Sequence, residues 1–456
     1  MRWKSLAFDP ADPKPTLAAL PTLPAVFALC GADAHAEPYI GRTPNLRARL
    51  ERLLQPSPRH PRRLQLAGLV RRIHWQLTGS EFESLLVQFD LLQKVYGTKG
   101  PNQALDRMHL RHPAFVRFLG SNPYPRVTVT YRPSLRESDW AYGPFPSRAA
   151  AERYAEEMLK LFLLRRCTFE LDPNPNYPGC VYSEMKMCLA PCFKGCTDER
   201  YAEESATVES FLATRGESHL VTLRTQRDQA STDLAFESAA ALHAQVQRVE
   251  AVRALASELV RPLSRLHAVI LQASANLDEV AILLFENGRL RGPVAFSTHG
   301  MRIQNDQSGS TSLFSQPMAI EPVPELPENG EQEEKTKERP SDSSEALKGT
   351  GFSPYKDVPQ PSGALAPEGV ATSIPRTVLE ARLEAALSEL SMPSSAPNTT
   401  TRLGHLALLK RWYYRPEAKR TGEIFFPDAD DHWPIRAILR GIGRVAAKSL
   451  GHAQID

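Results

Sequence analysis

Five of the six cysteines fall between residues 167 and 196, spaced Cys167-x12-Cys180-x7-Cys188-x3-Cys192-x3-Cys196. Thiolates this dense can hold tetrahedral zinc or an iron–sulfur cluster, or can act as a redox switch. Zinc sites usually pair short Cys-x2–4-Cys knuckles at both ends. Here only one end is tight, which favours iron and sulfur and leaves zinc as the alternative. Cys30 lies in an apolar run, "PAVFALCG", and reads as a core residue. A second set could bind phosphate. From Arg42 to Arg72 there are nine arginines and a single acid, Glu51. Such a patch attracts phosphates and releases counterions; a solvated helix face would carry the same charge.

Elements must position these groups. Residues 24–31 and 38–41 read as strands joined by a short polar connection. Leu46, Leu50, Leu53 and Leu54 have helical spacing, with arginines on the other faces. Residues 68–77 read as a third strand. Thr78 and Ser80 offer N-caps to a helix over 81–96 that carries acids in its first turn. Residues 108–145 read as strand-like or irregular. A helix is expected over 148–164, and two or more over 198–260. Residues 268–297 alternate as two or three strands, with Asn287-Gly288 as a hairpin turn. Further helices are expected over 377–391 and 402–415.

The chain has 456 residues, 42% of them apolar and 23% charged, enough for two to four domains. Its 38 prolines point to extended stretches, and residues 302–376 read by composition as a disordered linker. No apolar run approaches the ~18–20 residues that span a bilayer, and "MRWKSLAFDPADPKP" lacks the apolar segment of a signal peptide. A cytoplasmic location is expected.

Several of these stretches together resemble the UvrC family, the incising excinuclease component of bacterial nucleotide excision repair. "AVF" (25–27), "YIG" (39–41), "RTPNLRARL" (42–50) and "TGSEFESLLVQFDLL" (78–92) are similar to its GIY-YIG nuclease domain. Phosphodiester cleavage needs a base for water, a cation for phosphate and a metal at the leaving oxygen. The resemblance implies Tyr39 near the attacking water and Arg49 on the phosphate. Gly41 would allow close backbone approach, and Arg42 stands where a lysine is usual, with Arg47 and Arg52 as further DNA contacts. The first tyrosine of the motif is replaced by Phe27. The glutamate that binds magnesium or manganese falls on Gln88, and a neutral amide is a poor ligand for a hard divalent cation. Glu81, one heptad earlier, lies ~10 Å away along the helix, while Glu83 and Asp90 point elsewhere. Asn102 is a candidate for the motif's terminal asparagine.

"YGPFPSRAAAERYAEEMLKLFLLRRC" and "GCVYSEMKMCLAPCFKGC" are similar to the UvrC segment associated with a [4Fe–4S] cluster. This implies Cys167, Cys180, Cys188 and Cys192 as ligands, with Cys196 extra or alternative. "LAFESAAALHAQVQRVEAV" resembles the UVR motif, implying UvrB as a partner through Phe236 and Glu237; His243 and Ala244 stand where Arg and Asp are frequent. No block resembles the family's RNase H-like domain. "IRAILRGIGRVAAKSLG" (435–451) could form a helix-hairpin-helix, with Arg440, Arg444 and Lys448 near a phosphate, or an ordinary amphipathic helix.

The expected fold class is therefore α+β and multidomain. An extension (1–20) precedes a GIY-YIG-like domain (21–104), the cysteine region (105–200), a helical UVR-like region (201–262), a strand-rich segment (263–301), the linker (302–376) and a helical tail (377–456). The function it implies is binding of damaged double-stranded DNA with UvrB and a metal-dependent incision on one side. The alternative is a non-cutting DNA- or UvrB-binding factor, favoured by Gln88 and Phe27.

Overall fold

The computed structural model describes residues 3–33, 35–55, 66–98, 100, 102–132, 140–301, 374–392 and 399–453. The expected linker lies almost wholly outside them. Among the described residues no helix is long and apolar enough to cross a membrane.

The first sheet comprises β1 (Lys4–Ala7), β2 (Ala25–Cys30), β3 (Tyr39–Thr43) and β4 (Arg72–Leu77), ordered β1-β4-β2-β3 and antiparallel throughout. Between β1 and β2 lies α1 (Pro13–Ala18), and after β3 comes α2 (Leu46–Leu54), whose Asn45 side chain accepts the Ala48 N–H. The four leucines of α2 pack on Phe27, Leu29, Ile73 and Trp75. Residues 1–20 are no separate extension. Lys4 to Ala7 pair with Trp75 to Arg72, and Leu17 and Leu20 enter this core. A four-residue edge strand has too short a pattern to reveal itself. The opposite face of the sheet carries α3 (Glu81–Tyr96), followed by α4 (Gln103–Arg107). Ser80 caps α3 through the Glu83 N–H at 3.1 Å, as its sequence suggests.

The second unit holds β5 (Ala114–Phe118), β6 (Val127–Thr130), β7 (Ala141–Phe145) and α5 (Arg148–Leu159). It continues with α6 (Val181–Glu184), α7 (Asp198–Ala213), α8 (Glu217–Thr232), α9 (Phe236–Ala254) and a two-residue strand β8 (Arg261–Pro262), the sheet running β6-β5-β7-β8. The helix expected to reach residue 164 stops at Leu159. Beyond it Phe162 and Leu164, two residues apart, both bury in the non-helical chain, a spacing that suits extended backbone better than a helix face. Helices α8 and α9 form an antiparallel hairpin closed by Leu234 in the left-handed region.

In the third unit β9 (Ala268–Ala273), β10 (Glu279–Glu286) and β11 (Arg289–Ser297) form a meander, and Asn287 and Gly288, at φ 52° and 76°, make the two-residue turn. Then come α10 (Arg376–Ser391), α11 (Thr399–Tyr413), β12 (Glu423–Phe425) and α12 (Ile435–Ala453). β12 pairs with β9, giving the order β11-β10-β9-β12. The strand-rich segment and the helical tail are thus one domain rather than two. α10 and α12 cover one face through Leu383, Leu387, Ile438 and Ile442. α11 covers the other, where Leu406 and Leu409 share a core with Phe82 and Phe89 of α3. Residues 435–451 do not form a helix-hairpin-helix. α12 is continuous, because Ile438, Ile442, Val445 and Ala446 make one buried stripe on the sheet.

Candidate functional site

β3 is the edge strand of the first sheet, and its register sets what faces what. Gly41 pairs with Phe27 and Tyr39 with Leu29, so Tyr39, Gly41 and Phe27 share the face that α2 covers, while Arg42 projects to the α3 side. The Phe27 and Tyr39 ring centroids are 6.2 Å apart. A Cβ at Gly41 would come within 2.8 Å of the Phe27 ring, so glycine is what lets the ring lie against β3. From α2, Arg49 Nη2 donates to the Tyr39 hydroxyl at 3.5 Å. The structure therefore brings Tyr39, Arg49, Gly41 and Phe27 together. Arg47 does not join them as a free cation, since its Nε donates to the Leu20 carbonyl at 2.7 Å. Arg52 donates to the Ala48 carbonyl of its own helix and is exposed.

Gln88 lies half-buried on α3, and no hydrogen bond joins it to Tyr39 or Arg49 among the described residues. The acids around it are all engaged. Glu81 accepts both guanidinium nitrogens of Arg415 at 2.7 and 2.8 Å and pairs with Arg42 at 3.6 Å. The Arg415 hydrogen bonds hold its carboxyl below the usual range, against some desolvation. Glu83 accepts the Gly79 N–H at 2.8 Å, and burial pushes its pKa up. Asp90 meets Nε2 of the buried His405 at 3.3 Å. Asn102 caps α4 without a side-chain hydrogen bond, and no hydrogen bond joins it to Tyr39 among the described residues.

The cysteines form the second centre. The loop carrying them is curled by left-handed residues at Gly179, Lys186, Ala190 and Lys194, and tied to residue 163 by the Leu189 N–H. This brings Cys167, Cys180, Cys188 and Cys192 within electrostatic reach of one another. Burial, and then the three neighbouring sulfurs, push the Cys188 thiol up to about 11, against the Ala190 N–H that donates to it at 3.2 Å. Burial likewise raises Cys192, with Cys180 and Cys167 adding to the effect. Cys196 faces Cys192 and Asp198 from the side. Among the described residues, no three cysteine sulfurs lie within 4.8 Å of one another. Cys30 ends β2, beside Arg72.

One residue that the sequence pattern did not single out completes this centre. Arg165 is 1% exposed. Its guanidinium donates to the carbonyls of Tyr124 (2.8 Å) and Phe169 (2.9 Å) and to Asn122 Oδ1 (3.3 Å), and Nη1 lies 3.6 Å from Cys167 Sγ. All the oxygen acceptors are neutral. A buried cation without an anion is costly, and the only group in this set that can become anionic is the thiol. The adjacent Arg-Arg-Cys in the sequence was the available signal.

At the tip of the α8–α9 hairpin Leu234 and Phe236 are 72% and 65% exposed, with Glu237 exposed beside them. On α12, Arg444 is committed to Glu423 at 2.6 and 2.8 Å, and Arg440 donates to its own helix.

The Tyr39–Arg49 pair on the first sheet and the cysteine-centred second unit are the features with which known proteins can be compared. Residues 115–211 match the model of the UvrC/Cho excinuclease middle domain. The chain is also similar to proteins named UvrABC system protein C. It is 29% identical to that of Alcanivorax borkumensis over 303 residues, 66% of this chain and 48% of the relative. For Pseudomonas protegens the identity is 28% over 245 residues, 54% and 39% of the two chains, and for Leptospira biflexa 28% over 279 residues, 60% and 44%. The chain spans about half or less of the length of these relatives. No solved structure matches it.

Proposed function

We propose that this chain is a UvrC-like DNA-repair factor that binds damaged double-stranded DNA together with UvrB, and that its nuclease-like site holds DNA without cutting it. The observation that carries the first part is the match of residues 115–211 to the UvrC/Cho middle domain, a stretch that contains all five clustered cysteines. What favours the second is the state of α3. By the family resemblance Gln88 falls where the metal-binding glutamate is expected, and Glu81, Glu83 and Asp90 are each engaged elsewhere. Tyr39 and Arg49 retain the polar pair that would meet a phosphate. An incising enzyme using the same pair is the competing reading.

Cys167, Cys180, Cys188 and Cys192 would hold an iron–sulfur cluster, which supplies a redox-active anionic core when bound. The Ala190 N–H and Arg165 would donate to its thiolates, and the exposed Leu234 and Phe236 would enter the UvrB contact.

The test is an incision assay on a lesion-bearing duplex with UvrB loaded and magnesium or manganese present, comparing the natural chain with Gln88→Glu and Tyr39→Phe. Binding without cleavage by the natural chain, with cleavage appearing in Gln88→Glu, is expected. Cleavage by the natural chain that Tyr39→Phe abolishes would overturn the non-cutting assignment.

A further inference from the structure

A cavity of about 600 Å³ opens where the three units meet. Arg111, His112, Arg132 and Arg148 line it from the second unit and Lys410 from α11, with Tyr131 beside them and no acid among the described lining residues. Little of this charge is neutralised. Arg148 pairs with Glu152 at 2.6 Å, but neither Arg111 nor Arg132 has an ion-pair partner among the described residues. Lys410 donates to the His112 carbonyl, a neutral group, at 3.5 Å, and burial followed by the nearby Arg111 pulls its pKa down. The side chain of Ser147, at the N-cap of α5, is spent on the Ala150 N–H. The positive end of the α5 dipole faces the same space.

Like charges held together in a partly desolvated cavity repel, and an anion relieves the repulsion. The volume suits one nucleotide, not a duplex about 20 Å across, and Tyr131 is 41% exposed, offering a ring on which a base can stack. We propose that this cavity seats the backbone phosphates of an unpaired DNA strand. The inference rests on DNA being the ligand of the protein, as proposed above. It adds a second contact, built from different elements than the Tyr39 site.

Arg111 and Arg132 are exposed, so Arg111→Gln/Arg132→Gln keeps the fold, as a melting curve would verify. The full chain is titrated onto a labelled single-stranded oligonucleotide and onto the blunt duplex of the same sequence between 50 and 200 mM salt. The double variant is expected to bind the single strand about tenfold more weakly, with a salt slope shallower by roughly 1.4, as for two lost phosphate contacts. The blunt duplex should be much less affected. Excess inorganic phosphate should weaken single-strand binding by the natural chain and leave the double variant unchanged. If the natural chain binds DNA and the double variant binds the single strand equally well, the cavity is refuted while the DNA reading stands. An equal loss on both DNAs would refute the unpaired-strand assignment. If the natural chain binds neither DNA, both proposals fall together.

Discussion

Replacing Gly404 by alanine sets two physical effects against each other. Gly404 lies inside α11, where alanine is intrinsically better by up to ~1 kcal/mol. Its face is pressed against Phe89 of α3, however, and a Cβ there would overlap the Phe89 ring. That ring is fully buried and boxed by the edge of His405, whose centroid is 5.5 Å away. The ring cannot rotate clear without displacing its neighbours, and overpacking of this kind costs ~1–3 kcal/mol. Direct overlap of the Cβ with the ring puts the cost at the upper end of that range, so with the propensity gain subtracted Gly404→Ala should destabilise the protein by about 1–2 kcal/mol, or roughly 1–2 °C in melting temperature for a chain of this length. Denaturant unfolding and calorimetry measure it. Adding Phe89→Leu should recover part of the loss by shortening the obstructing side chain. An unchanged or raised midpoint for Gly404→Ala would refute the reasoning, for it would mean that helix propensity governs and that α11 does not press on α3.

Two further predictions concern the charged groups. The Glu81 carboxyl is held down by Arg415, so its contribution is present above the unfolded carboxylate value of about 4.3 and is lost as pH falls through the lower native value. Glu81→Gln should therefore lower stability at pH 7 by no more than about 1 kcal/mol, given the exposure of the pair. The difference from the natural chain should close below about pH 4, as urea titrations at several pH values would show. If the cysteines hold the iron–sulfur cluster proposed above, Arg165→Met should lower its reduction potential and the iron and sulfide retained per chain. Arg165→Lys should keep more of the potential than of the retention, because it preserves charge and not the hydrogen-bond fork. Electrochemistry with metal analysis measures both, and an unaltered potential in Arg165→Met would remove Arg165 from the centre.

What the sequence disclosed depended on how local the signal was. Ser80 with acids behind it marked the start of α3, and Asn287-Gly288 marked the β10–β11 turn, because caps and two-residue turns are decided by neighbouring residues. The end of α5 was misplaced because Phe162 and Leu164 extend its apolar composition while leaving its geometry. The Gly-Ile-Gly of α12 left both a hairpin and an ordinary amphipathic helix open, because glycine permits a turn without requiring one, and the buried Ile438 stripe decides for the helix. Periodicity says which face of a helix is apolar and not what will cover it. For that reason the union of β9–β11 with α10–α12, across more than seventy intervening residues, could not be read. In the sites, the cysteines stood out by density and spacing, whereas Tyr39 and Arg49 stood out only through the family resemblance. Arg165 did not stand out, since a single arginine becomes meaningful only when burial strips it of water, and Arg111, Arg132 and Lys410 are separated by up to three hundred positions.

The wedge formed by α11 has a consequence for how such a chain can be taken apart. Phe82 and Phe89 of α3 lie in one apolar cluster with Leu406, Leu409 and Trp412, and Leu259, Leu266 and Ile270 belong to it as well. The three sheets are thus not beads on a string. The helix on the first sheet, α3, shares its apolar face with residues more than three hundred positions downstream. A fragment cut before α10 would present that surface bare, an adhesive face prone to self-association. The modular boundaries that a family resemblance suggests along the sequence therefore do not coincide with the units that could survive excision, recombination or limited digestion.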